Sequence, residues 1–156
     1  MFRHIMTHLV AHNVLVDHQH GFRSNHSCET QLINTIEHLV RSINYRNQTD
    51  LLILDFSKAF DTVAHKRLLL KLEYYGIRGH HLNWVQSWLL NRTQQVVLEG
   101  QYSEKSNVKS RVPQGTVLGP LCFLLYINDM GNDISSNLKL FADDILLYGL
   151  VHNASD

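Results

Sequence analysis

Two acidic sites in this sequence stand where carboxylates are costly. Asp55 closes the apolar run Leu51, Leu52, Ile53, Leu54, and Asp143 and Asp144 lie side by side between the apolar arms LKLFA and ILLYG. A carboxylate among apolar neighbours is unfavourable unless it is paired, hydrogen-bonded or bound to a cation. Two adjacent carboxylates also repel each other, and a divalent ion relieves that repulsion. A third carboxylate brought in from a neighbouring strand gives a hard, oxygen-rich set suited to Mg²⁺. Each site has a plainer reading on its own: Asp143-Asp144 as a solvated turn, Asp55 as a helix N-cap.

The elements that must position these residues follow from periodicity. Phe2 to Val16 carries Ile5, Leu9 and Val14 at helix-like intervals. A helix is predicted over Cys28 to Ile43, with Leu32, Ile33, Ile36, Leu39, Val40 and Ile43 on one stripe. Ser27 suits its N-cap and Glu29 its first turn. Leu51 to Phe56 is too short and too evenly apolar for a surface helix and reads as a buried strand. Helices follow over His65 to Tyr75, with Leu68, Leu69 and Leu72 inward and Gly76 as the stop, and over His81 to Leu90, with Leu82, Val85, Trp88 and Leu89 on one face. After Asn91 the period turns to alternation, predicting a hairpin from QQVVLEG to NVKSRV with Glu99-Gly100 in the turn region. Pro120 fits the first turn of a helix reaching about Asp129. LKLFADDILLYG is a second hairpin, with carboxylates at its tip. Helices interleaved with antiparallel hairpins make the fold class α+β.

Composition bounds the function. The 156 residues are 44% hydrophobic and 18% charged, which suits one globular unit. Lys+Arg and Asp+Glu are both 14, so a basic excess for nucleic acid is lacking. Cys28 and Cys122 make no disulfide framework. The longest apolar stretch, Val117 to Ile127, is broken by Gly119 and Pro120 and falls short of the ~20 residues of a membrane span. The first residues lack a signal-peptide core. An intracellular, soluble protein without a membrane partner is the expectation.

The segments LDFSKAFD (Leu54 to Asp61), VPQGTVLGP (Val112 to Pro120) and FADD (Phe141 to Asp144), in this order, resemble the three central motifs of reverse transcriptases. The wording QHGFR, SCETQL, HKRLLLKLEYYGIRG, NRTQQVVLEG and PQGTVLGPLCFLLYINDM is similar to the non-LTR (LINE-like) retrotransposon branch, from about Val14 to Tyr148. The resemblance implies an RNA-directed DNA polymerase, a nucleotidyltransferase with a right-hand palm (an antiparallel sheet with packed helices) plus fingers. The fingers would span about residues 1–50 and 76–112 and the palm about 51–75 and 113–150, with the thumb absent. It implies that Asp55 and Asp143 each bind both of two Mg²⁺ ions, for which Mn²⁺ can substitute. Asp144 would support them, and the Phe56 carbonyl would reach the nucleotide-side metal. Backbone N–H groups of Ser57 and Lys58 would face the triphosphate. Phe60 stands at the aromatic steric gate that rejects a 2′-hydroxyl, although its type alone would suit a core aromatic. Gln114 and Gly115 would line the nucleotide pocket, and Asp61 would be a structural or capping carboxylate. RNA template, DNA primer and dNTP are the implied partners.

Three departures qualify that resemblance. Ser24, Asn25 and His26 stand where relatives often carry Lys, Gly and Arg, which weakens the expected substrate contacts around Arg23. Arg111 stands where relatives often have Gly, which matters if the position needs positive φ. The chain stops soon after Tyr148, before the later palm motifs and thumb, so a truncated fragment with intact metal-site geometry and weak or undetectable polymerisation is expected. Two other readings compete. One is an inactive remnant that binds RNA through Trp84, Trp88, Arg41, Arg46, Arg78 and Arg92. The other is a metal-binding module using His4, His8 and His12, at i, i+4 and i+8, with His18 and His20 close by, though no CxxC or HExxH pattern supports it.

Overall fold

The computed structural model describes residues 1–151. The chain falls into two units where the absence of a linker predicts one: Met1–Val14 with Lys58–Ile127, and Leu15–Ser57 with Asn128–Asp156. The boundaries fall between Val14 and Leu15, Ser57 and Lys58, and Ile127 and Asn128, none of them in a Pro/Gly-rich stretch.

The first unit is helical with small hairpins. Helix α1 (Phe2–Ala11) buries Ile5 and Leu9, and it ends five residues before the expected Val16. A short α3 (Ala59–Thr62) leads into α4 (His65–Tyr74) and α5 (Gly79–Leu89). The stop after α4 is set by backbone chemistry. Gly76 takes φ +85, its N–H bonds the Glu73 carbonyl at 3.1 Å, and the Ile77 N–H bonds the Leu72 carbonyl at 2.9 Å. That pair of bonds is the Schellman arrangement that favours glycine. A Cβ on Gly76 would also lie 2.7 Å from His8 Nε2, so the imidazole would have to shift to admit one. Helix α6 (Leu118–Ile127) has Pro120 in its first turn, as expected, and is buried on nearly every side. Helix α4 packs on α5 and α6. Leu9, Leu68, Leu72, Val85, Leu89, Phe123 and Leu125 form the fully buried core, each contributing roughly 1.5–3 kcal/mol by leaving water. The predicted hairpin resolves into four two-residue strands. Of these, β2 (Thr93–Gln94) pairs with β5 (Ser106–Asn107), and β3 (Val97–Leu98) with β4 (Gln101–Tyr102). Glu99 and Gly100 turn it at φ +49 and +77, where Gly at the second position is favoured.

The second unit is a three-stranded antiparallel sheet with one helix. Its order is β1 (Gln48–Asp55), β7 (Asp144–Val151), β6 (Asn137–Phe141). Helix α2 (Cys28–Asn44) starts in a full capping box: the Ser27 hydroxyl accepts from Thr30 N–H, and the Thr30 hydroxyl accepts from Ser27 N–H. Two expectations fail here. Periodicity puts the apolar residues of α2 on one stripe suited to a core, but Leu32, Ile33, Ile36, Val40 and Ile43 are exposed while Thr35 and Ser42 are buried. The helix meets its own sheet through polar side chains: Ser42 Oγ bonds Thr49 Oγ1, and His38 Nδ1 bonds Tyr148 Oη at 2.6 Å. Periodicity says which residues share a face, not which face the chain covers. The strand over Leu51–Phe56 forms but is not buried. As an edge strand with β7 on one side only, β1 leaves Leu51 to Leu54 between 41% and 76% exposed.

Candidate active site

The register of the sheet brings the acidic residues to one end. Strands β1 and β7 pair along their full length, and the last pair is Asp55 opposite Asp144. Directly opposed residues of an antiparallel pair point to the same face with Cβ atoms about 5 Å apart. Asp144 also faces Phe141 across the β6–β7 ladder, so Ala142 and Asp143 form a two-residue turn. Two-residue hairpin turns call for positive φ at their first position. Ala142 meets that demand at φ +56 without being glycine. Like charges directly opposite each other destabilise a sheet. No Lys, Arg or His among the described residues pairs with any of these three carboxylates.

The donor set therefore fits a divalent cation in kind: three carboxylates, hard oxygens, and no internal counter-charge. It is not gathered into a cage. Among the described residues no group of three or more His, Cys, Asp or Glu side chains is placed to hold a metal ion. The same holds for the histidines of α1. His8 Nε2 donates to the Tyr75 carbonyl at 2.9 Å, and His12 Nδ1 bonds the His8 carbonyl at 2.8 Å, which engages both rings in the fold. A hollow in the second unit is lined by residues that include His38, Ser42, Thr49, Asn137 and Tyr148, and by none of the three aspartates. An open acidic ladder end is a different kind of feature from an enclosed cavity, and the chemistry of the carboxylates is the better guide.

The loop that carries the QHGFR segment supports the acidic turn. Residues 18–20 run parallel to β6: His20 N–H bonds the Leu140 carbonyl, and Leu140 N–H bonds the His18 carbonyl, both at 2.8 Å. Gln19, only 3% exposed, reaches on to the turn with its side chain. Its Nε2 donates to the Ala142 carbonyl at 3.2 Å, and its Oε1 accepts from Ala142 N–H at 3.0 Å and Gly21 N–H at 2.7 Å. Gly21 is required by space, since a Cβ there would fall 2.2 Å from the Ala142 nitrogen. Arg23 belongs to this same loop. Its guanidinium donates to the Val16 carbonyl and lies 3.9 Å from Asp17. Phe56 and Ser57 follow Asp55 as exposed residues.

The remaining candidates lie in the first unit. Lys58 is exposed at φ +54 and opens α3. Phe60 is half-buried and stacks on Phe123 with ring centroids 4.4 Å apart. Asp61 is structural, as expected: it pairs with Arg111 Nε at 2.8 Å, while Arg111 also reaches Gln94 Oε1 at 3.2 Å. Arg111 takes φ +90, the conformation that favours glycine, and bonds through its N–H to the Val63 carbonyl. Val112 N–H bonds the Phe60 carbonyl at 3.0 Å, so the segment entering Pro113-Gln114-Gly115 is fastened to the one carrying Phe60. Gln114 and Gly115 are exposed, and Gly115 takes φ +71 with open space where a Cβ would stand. The Thr116 hydroxyl donates to the Pro113 carbonyl and accepts from Gly119 N–H, tying this turn to the start of α6.

Comparison with known proteins gives these residues a context. The family described as "Reverse transcriptase (RNA-dependent DNA polymerase)" matches residues 2–152. Over 146 residues the chain is 34% identical to the "Probable RNA-directed DNA polymerase from transposon X-element" of Drosophila melanogaster, covering 90% of this chain and 16% of that protein. It is 30% identical over 148 residues to the "Probable RNA-directed DNA polymerase from transposon BS" of the same species, covering 86% of this chain and 16% of the relative. A type-1 retrotransposable element R2 polyprotein of Popillia japonica is 26% identical over 126 residues, covering 72% of this chain and 21% of that protein. The chain thus spans 16% of the length of the first two relatives.

Proposed function

Because this chain belongs to the reverse transcriptase (RNA-dependent DNA polymerase) family, we propose that it carries the nucleotidyl-transfer centre of an RNA-directed DNA polymerase of the non-LTR retrotransposon kind. The observation that carries this reading is the acidic ladder end, with Asp55 opposite Asp144 and Asp143 in the adjoining turn. The carboxylates of Asp55 and Asp143, supported by Asp144, and the carbonyl of Phe56 would hold two Mg²⁺ ions, with Mn²⁺ as a substitute. Such ions, when bound, lower the pKa of a primer 3′-hydroxyl and offset the charge of the triphosphate.

The chain's own residues supply position. Asp55 ends a strand paired to Asp144, and Asp143 sits in a two-residue turn closed by the Phe141–Asp144 pair. The N–H groups of Ser57 and Lys58 face the triphosphate in this reading. In this reading the ring of Phe60 excludes a 2′-hydroxyl, and Gln114 and Gly115 line the pocket for the incoming nucleotide; glycine at 115 leaves that backbone without a side chain and suits its φ of +71. Transfer from dNTP to an in-line 3′-hydroxyl needs no covalent enzyme intermediate, so none of these residues has to act as a nucleophile. The segments about 1–50 and 76–112 serve as fingers and about 51–75 and 113–150 as palm.

The test is extension of a DNA primer on an RNA template by this chain with dNTPs and Mg²⁺ or Mn²⁺. Template-dependent extension that stops on chelation is expected, and Phe60→Val is expected to raise ribonucleotide incorporation. RNA binding without extension under either metal would favour the inactive RNA-binding remnant instead.

A further inference from the structure

We propose that Gln19 is a positioning residue of the acidic turn: its buried amide acts as the missing strand partner of Ala142 and so fixes the direction in which Asp143 leaves the turn. The backbone pairing between residues 18–20 and β6 ends at Leu140. Two residues further on, Ala142 is 7% exposed, and a buried backbone N–H and C=O need partners. One side-chain amide provides both, donating from Nε2 and accepting at Oε1. The amide is itself locked, since the same Oε1 accepts from Gly21 N–H. Only a primary amide can do this, because a carboxylate offers no donor and a hydroxyl is too short to span both groups. The need is real at this position. Ala142 sits at φ +56, where a non-glycine residue is strained and persists only when its surroundings hold it. Gly21, whose Cβ would strike the Ala142 nitrogen, brings the loop close enough for the amide to reach.

The consequence for metal binding rests on the polymerase reading above, but the clamp itself does not. A side chain that orients a ligand without touching the metal changes metal affinity about 10- to 100-fold when removed. The experiment uses the full chain and three forms: wild type, Gln19→Met, which keeps the length and loses every bond, and Gln19→Glu, which keeps both bonds at the acceptor oxygen. Two quantities are read: amide exchange of Ala142 against the amides of β7, and the Mn²⁺ dissociation constant by electron paramagnetic resonance. Gln19→Met is expected to speed Ala142 exchange by about tenfold or more relative to β7 and to weaken Mn²⁺ binding about tenfold. Gln19→Glu is expected to keep the Ala142 amide protected. Unchanged Ala142 exchange in folded Gln19→Met, or unchanged Mn²⁺ affinity beside faster exchange, overturns the positioning role. Should Gln19→Met not fold, Gln19→Ala is measured in its place, and unchanged Ala142 exchange in that variant overturns the role alone. A wild-type chain that binds no Mn²⁺ counts against the metal reading, and the exchange measurement then decides the clamp by itself.

Discussion

Arg111 shows how much a single residue can hold against its own backbone preference. At φ +90 an L side chain is strained by roughly 1 kcal/mol or more, a strain glycine does not carry. Its half-exposed ion pair with Asp61 offsets up to about 1 kcal/mol of that. The two effects make an unusual ordering: Arg111→Gly should be more stable than Arg111→Ala, by about 1 kcal/mol, because alanine loses the pair and keeps the strain. Urea unfolding of both variants checks this, and an alanine variant as stable as the glycine one would contradict the strained φ. His18 and His20 supply a second residue-level expectation. Burial lowers the imidazole pKa of each below its usual 6.5, helped at His18 by Lys139 and Arg23 and opposed by Asp17, and helped at His20 by His26, Lys139 and Arg23 and opposed by a backbone hydrogen bond at Ser27. The unfolded chain then takes up protons first as the pH drops, so these two residues leave stability intact above about 6.5 and reduce it progressively below. The thermal midpoint should fall between about pH 7.5 and about pH 5.5, roughly one unit either side of the ordinary histidine pKa, and His18→Gln should lessen the fall. An equal fall in the variant would remove His18 from the explanation.

At the scale of elements, features encoded within a few residues were legible and those depending on distant partners were not. Ser27 and Thr30 announce a helix start because capping is settled within one turn. The acidic hairpin was legible because its two apolar arms and short turn are contiguous. The facing of α2 was not, since its exposed apolar stripe and its polar contacts with Thr49 and Tyr148 depend on where the sheet lies. Nor was the Gln19 clamp, which joins positions separated by 123 residues through an uncharged amide that no composition signal marks. The loop carrying it stands out in sequence only through QHGFR, which draws attention to Arg23. Close packing of this loop on the hairpin makes Gly21→Ala a test at this scale. The added methyl would meet backbone, not a side chain that can move, so a loss of about 1–3 kcal/mol is expected in urea unfolding. A change within about 0.5 kcal/mol, the range of neutral surface substitutions, would mean the loop does not sit against the turn.

For the molecule as a whole, the family membership and the α+β character were readable from motif order and from the alternation of helices with hairpins. Two features were not: the division into two units and the exposed edge at β1. An apolar run such as Leu51 to Leu54 states that a strand wants cover, not which neighbour supplies it. No helix among the described residues is long and apolar enough to cross a membrane. The acidic ladder end is the proposed centre of nucleotidyl transfer, and one comparison tests that proposal most directly. Primer extension on an RNA template with Mg²⁺ is measured for wild type, Asp143→Ala and the exposed control Asp133→Asn. Removing a charge-stabilising group from a transfer site costs on the order of 10²–10³ in rate; a loss of that size is predicted for Asp143→Ala and none for Asp133→Asn. Extension that survives Asp143→Ala would contradict the assignment of the acidic turn as the centre of nucleotidyl transfer.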